Sequence, residues 1–253
     1  MPWDLSPGVR MVHTRVPEDC LMETPEKTLT TGRTRDNTGK PIEGTGFNYT
    51  PGGRVAEALA ARISPIYSHP THGEWGMKLV DPSENGGEYL RGIGVFREGQ
   101  PWLAAHYHPD YEEHFEILEG TFAFRLDRTV YNFGPGEKAA VPKGVLHTFR
   151  YTGRGFGSFL IEARPGGRFA EFIPIYYGLA HDGKFSKSGA PQLLPAMLMT
   201  RELEGDTVFP SPPPRITRPL ARVLGPLASR RGYRELFDLY RTDEFWEKRV
   251  EQP

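Results

Sequence analysis

The chain has 253 residues, with 31 Lys or Arg against 32 Asp or Glu and a formal net charge of -1. That balance excludes a global electrostatic pull toward nucleic acid and an acidic tail, and 38% hydrophobic residues exclude a disordered chain. Cys20 is the one cysteine, so an internal disulfide scaffold is excluded and a reducing, cytoplasmic location is expected.

The first residues, MPWDLSPGVR, lack the apolar core of a signal peptide. No apolar run anywhere approaches the ~20 residues that span a bilayer, so no membrane partner is expected. Residues 1–74 carry turn and breaker clusters such as TTGRTRDNTGKPIEGTG and too few apolar residues for a core of their own. They read as an N-terminal arm that wraps the core or a partner subunit. Only GRVAEALAAR, at 53–62, has helical composition. His69 and His72 (SHPTH) read as exposed loop histidines with no carboxylate or thiolate beside them.

From residue 75 the pattern changes to short strands between Gly/Pro turns: 75–80, 88–96, 102–108, 112–118, 121–126, 129–133, 138–142, 145–151 and 157–163. With 29 Gly, 24 Pro and 12% aromatics, this spacing argues for a sandwich or small barrel over residues 75–166. Residues 167–253 read as a helical C-terminal extension. It begins with RFAEFIPIYYGLAHDG, crosses a coil-like stretch and the polyproline-like FPSPPPR, and ends in two or three short amphipathic helices. Gly225 and Pro226 are expected to interrupt the segment RPLARVLGPLASRR. No helix-turn-helix signature is present, so no nucleic-acid partner is expected.

The chemistry concentrates in two segments. In the first, His106 and His108 are separated by one residue, Glu113 follows after four more, and Gly120 after a further six. In the second, five residues separate Gly136 from Pro142, and Gly144 is followed two residues on by His147. Alternate residues of a strand share a face, so His106 and His108 can address one metal ion. Glu113 opens the next strand after a turn and can fold back toward the pair, and His147 opens a later strand. Glu112 is the alternative carboxylate, but the spacing to Gly120 and strand alternation favour Glu113. His114 then faces the other way, as a surface or packing residue. Three imidazoles and a carboxylate suit Fe2+, Mn2+, Zn2+, Ni2+ or Cu2+, and leave two positions of an octahedral ion for water, O₂ or substrate.

These segments, QPWLAAHYHPDYEEHFEILEG and GEKAAVPKGVLHTFRY, resemble the two motifs of the cupin superfamily. The resemblance covers roughly residues 88–163. Two positions depart from it: Gln100 stands where a glycine is expected, and Tyr151 where a terminal Asn is expected. The resemblance implies an all-β core, a jelly-roll β-barrel with the metal inside, held by His106, His108, Glu113 and His147. It also implies pairing as a homodimer, which is common for cupins of this size. The abundant aromatics around the motifs suit an apolar or aromatic small-molecule substrate. Arg150, which could hold a substrate carboxylate, and Tyr151, which could donate a proton, are the candidate catalytic residues. The leading functional expectation is a metal-dependent oxygenase with Fe2+ favoured. A redox-neutral isomerase, lyase or decarboxylase is the alternative, and a non-catalytic small-ligand binder a third reading.

Overall fold

The computed structural model describes residues 28–187 and 189–253. Cys20 and the first 27 residues of the arm lie outside them. Within the described residues the strands are β1 (Leu29–Thr31), β2 (Phe47–Tyr49), β3 (Tyr67–His69), β4 (Glu74–Val80), β5 (Leu90–Arg97), β6 (Glu112–Glu119), β7 (Phe122–Leu126), β8 (Thr129–Phe133), β9 (Lys138–Val141), β10 (His147–Tyr151) and β11 (Phe156–Arg164). Several are buried on both faces, so burial runs nearly unbroken along β3, β5, β6 and β10. The helices are α1 (Arg54–Ala61), α2 (Phe169–His181), α3 (Leu193–Glu202), α4 (Pro214–Arg230), α5 (Tyr233–Tyr240) and α6 (Asp243–Arg249).

Antiparallel pairing builds a six-stranded sheet in the order β3-β4-β5-β11-β6-β9 and a three-stranded sheet in the order β10-β7-β8. This is the jelly-roll arrangement, with the two sheets joined by an aromatic core. Phe115 and Phe159 of the larger sheet meet Phe124 and Phe149 of the smaller one. The ring centroids lie 4.9 Å apart for Phe115–Phe124 and 5.1 Å for Phe149–Phe159, at steep angles that suit aromatic quadrupoles. A second core lies on the outer face of the larger sheet. There Trp75, Met77, Ile93 and Val95 pack with Leu179, Leu198, Phe237, Tyr240 and Trp246, so the helices shield the face that the smaller sheet leaves bare.

Gly120 shows why a motif glycine is needed. It turns β6 into β7 at φ 75°, and a Cβ there would sit 2.6 Å from the Tyr151 ring. Gln100, standing in the place of the expected glycine, is buried and ties down the turn between β3 and β4. Its side-chain amide donates to the carbonyls of His72 and Gly73, both at 2.8 Å.

Four features differ from the sequence expectation. The sheet begins in the arm region, at β3, and β1 pairs with β2 there. Residues 102–108 are not a full strand. They touch β10 through the isolated pair His106–His147, and Tyr107 bridges to Val208 instead. α3 occupies part of the stretch read as coil. α4 runs unbroken through Gly225 and Pro226. Gly225 is buried under α3, where a Cβ would lie 2.7 Å from Arg201 Cδ, so close helix packing overrides its low propensity.

Candidate metal centre

His106 lies on the extended segment before β6, half-buried in the cavity wall. His108 follows two residues later, Glu113 stands at the start of β6 and His147 at the start of β10. These three are almost wholly buried. One potential ligand atom from each of the four lies within 4.8 Å of every other. Glu113 Oε2 is 2.9 Å from His147 Nε2 and 3.3 Å from His108 Nε2.

The backbone sets the direction of each ring. His106 Nδ1 donates to the Ala104 carbonyl at 2.8 Å, His108 Nδ1 to the Asp206 carbonyl at 3.0 Å, and His147 Nδ1 to the Val145 carbonyl at 3.0 Å. Each bond places the proton on Nδ1 and turns the Nε2 lone pair inward, the arrangement that metal-ligating imidazoles adopt. Meanwhile His108 Nε2, His147 Nε2 and Glu113 Oε2 are buried with no hydrogen-bond partner. Orphaned polar atoms converging on one point are costly in an apolar interior, and a divalent cation would satisfy all of them. The residues therefore fit the metal that the motifs imply.

The electrostatics agree. Burial, with the neighbouring His147 and His108, pushes His106 down to about 3, so it stays neutral and available as a ligand. Burial works against ionisation of Glu113, but the close His108 and His147 rings outweigh it and hold Glu113 well below the usual carboxylate range. Burial likewise opposes a charge on His108, yet Glu113 beside it raises its pKa.

Glu112, the alternative carboxylate, faces away and accepts from His114 Nε2 at 2.7 Å. His114 itself is buried, not a surface residue. The two candidate catalytic residues do not reach the cluster. Arg150 points outward and lies over the Trp102 ring, 4.8 Å from its centroid, as Arg125 does at 4.9 Å. Tyr151 is buried two strand positions beyond Phe149, and its hydroxyl donates to the carbonyls of Arg154 and Phe156 at 2.7 and 3.0 Å. Neither lines the cavity that opens from the cluster. The reason is strand alternation for Arg150 and distance along β10 for Tyr151.

That cavity, about 150 Å³, is walled by Phe149, Phe159 and Ile161, floored by Gly76, Gly92 and Gly94, and roofed by α2 with Phe169, Phe172, Ile173, Tyr176 and Tyr177. Four contributors to the site lie outside the sequence expectation. Tyr111 stacks on His108 at 4.3 Å, Asp206 supplies the carbonyl for His108, and Phe209 packs 5.8 Å from His106. Asp206 and Phe209 come from the loop between α3 and α4, about 100 positions downstream, and no local pattern announces them. The last is Glu74, on β4. His69 and His72 are also unlike the sequence reading: their rings stack at 3.9 Å, His69 is buried, and His72 Nδ1 lies 3.4 Å from Glu74 Oε1.

Residues 93–160 match the cupin domain family. With the two motifs, the double sheet and the His/Glu cluster, this makes that stretch a cupin domain. Over 62 residues it is 37% identical to Protein SchB of Streptomyces halstedii, an alignment covering 24% of this chain and 44% of that protein, less than half its length. Among solved structures it is similar to KdgF from Halomonas sp. (13% identity, 36% of this chain and 80% of that one, TM-score 0.33). It is also similar to a sugar phosphate isomerase from Silicibacter pomeroyi (20% identity, 44% and 64%, TM-score 0.32). Among the described residues, no helix is long and apolar enough to cross a membrane.

Proposed function

We propose that the protein is a metal-dependent cupin enzyme, an oxygenase that acts on a small apolar or aromatic organic molecule. The observation that carries this reading is the convergence of three orphaned ligand atoms and His106 on one point at the end of an aromatic-walled cavity. His106, His108, Glu113 and His147 would hold one divalent ion, Fe2+ in the favoured form. Bound there, the ion supplies Lewis acidity toward an enolate or phenolate oxygen and, if iron, redox reach toward O₂.

This chain's own residues do the rest. Phe149, Phe159, Phe172 and Phe209 exclude water and orient a flat apolar body. The carbonyls of Ala104, Asp206 and Val145 keep the imidazoles facing inward. A volume near 150 Å³ suits a single ring with a short substituent.

A redox-neutral isomerase, lyase or decarboxylase is the second reading. It is favoured by Glu74, a buried carboxyl group in the same cavity wall and so within reach of a bound molecule as an acid–base group. Elemental analysis should find about one transition metal per chain, and His147→Ala should abolish it; a metal content unchanged by that substitution would refute the centre. Substrate-dependent oxygen uptake supports the oxygenase, whereas full turnover under anaerobic conditions selects the redox-neutral reading. Homodimer formation and a cytoplasmic location remain part of the proposal. A monomeric mass by light scattering would remove the dimer.

A further inference from the structure

Glu74 opens β4 on the same concave face as the metal-centre residues. The register β6–β11–β5–β4 puts it three strands from the strand of Glu113, about 14 Å of sheet width at ~4.8 Å per strand, and diagonally across the sheet: the row of Glu113 passes through Ala163 and Leu90, whereas Glu74 pairs with Phe96 at the other end of β5. Along the way the sheet presents Gly94 and Gly76 side by side and Gly92 beside Lys78. The missing side chain of Gly76 leaves room in the slot, the Phe96 and Phe159 rings lean over Gly94, and Glu74, His106 and Glu113 all line the slot.

Glu74 is 3% exposed. Its Oε2 accepts from the Tyr177 hydroxyl at 3.2 Å. Its Oε1 has no hydrogen-bond partner; His72 Nδ1, at 3.4 Å, is the nearest cationic candidate and lacks hydrogen-bond geometry. Apart from the tyrosine hydroxyl, its cavity surroundings are aromatic and aliphatic: Tyr176, Ile173, Gly76 and Phe96. A buried carboxylate oxygen left without a donor, in the wall of a ligand cavity, is a vacant acceptor.

We propose that Glu74 forms a second polar subsite, which accepts a hydrogen bond from a hydroxyl or amine at the end of the substrate remote from the metal-bound oxygen. The substrate class follows: a molecule with an oxygen ligand at one end, an aromatic or apolar middle and a hydrogen-bond donor at the other. Glu74 is a specificity-determining residue; Tyr177 positions it by holding the other oxygen. This deepens the metal-enzyme reading and rests on it for the orientation of the bound molecule.

The test uses zinc-loaded protein, so that binding is read without oxidation. Calorimetric titrations under argon compare 4-alkylcatechols whose tails of two, three or four carbons end in either a methyl or a hydroxyl group. At one tail length or more, the hydroxyl-ended probe is expected to bind about tenfold tighter than its methyl-ended partner. Glu74→Leu should reduce that contrast to below about twofold, and Glu74→Gln, which keeps an acceptor oxygen, should retain part of it. Melting temperatures of both variants report folding, and the Gln variant carries the comparison if the Leu variant fails to fold. A contrast below about twofold at every length in the unaltered protein, a contrast that survives Glu74→Leu, or no binding of any probe overturns the proposal. Catechol binding that is indifferent to removal of zinc by a chelator would instead sink the metal reading, while leaving the methyl/hydroxyl comparison at Glu74 readable.

Discussion

Tyr151 stands where an Asn closes the second cupin motif, and its surroundings explain the exchange. Three glycines, Gly120, Gly153 and Gly157, leave room for its ring, and two carbonyls accept its hydroxyl. It is a structural residue, so Tyr151→Phe should cost about 1–3 kcal/mol in urea unfolding by stranding those acceptors, with metal content unchanged. Loss of metal in that variant would contradict this assignment. His69 and His181 give a second prediction. Burial, reinforced by His72, pushes His69 down to about 3; burial, reinforced by Arg249, pushes His181 down to about 4. Both stay neutral in the folded chain while the unfolded chain binds their protons below about 6.5, so stability falls as pH drops from about 6.5 toward 4. Each contributes a slope of about 1.4 kcal/mol per pH unit. His181→Gln should flatten that slope in denaturant titrations at pH 6.5 and 5; an unchanged slope would show that His181 is protonated in the folded state.

Strands β4 and β5 owe their role in the cavity to what they lack. An added Cβ at Gly76 would meet only Ile173 at 3.8 Å, the Ile93 carbonyl at 3.9 Å and Tyr177 at 4.0 Å, all ordinary contacts. Gly76→Val should therefore fold, with a melting temperature within a few degrees, while its methyl groups intrude into the slot. Affinity for 4-ethylcatechol on the zinc-loaded protein should drop by at least about tenfold. Unchanged affinity would place the ligand elsewhere. Helix α2 completes the enclosure despite Pro174 in its interior. It turns Phe172, Ile173 and Tyr176 toward the cavity and Ile175 and Leu179 into the outer core, so the roof is anchored from behind.

The two ends of the described chain close the structure on itself. Arg35 N donates to the Arg249 carbonyl and Glu251 N to the Arg33 carbonyl, while the Arg33 guanidinium grips the Glu251 carboxylate through two bonds of 2.6 and 2.7 Å. Just before this clasp, Trp246 is 1% exposed, donates to the Tyr240 carbonyl and packs edge-on against Tyr67. Trp246→Ala should destabilise the fold by about 3–5 kcal/mol in urea titration. Metal stoichiometry in the folded fraction should be unchanged, because Trp246 belongs to the outer core and the cluster to the inner face. A loss under about 1 kcal/mol would mean that the C-terminal helices dock only loosely on the sheet.

The metal cluster and the strands around it were legible in the linear chain because their determinants are local. One-residue alternation puts His106 and His108 on one face, turn glycines set the strand ends, and short spacings bring Glu113 and His147 to the same rim. Glu74, Asp206, Phe209 and the stacked His69–His72 pair were not legible. They are brought into place through sheet register and helix docking across 30 to 100 positions, and a lone Glu or Phe carries no periodic signal. The same holds for Arg150 and Tyr151, whose nearness in sequence to His147 implies nothing about facing. Local periodicity and the two motif spacings pointed to the all-β core and to the candidate ligands; only long-range packing decided which side chains wall the cavity and which of its polar atoms are left for a ligand.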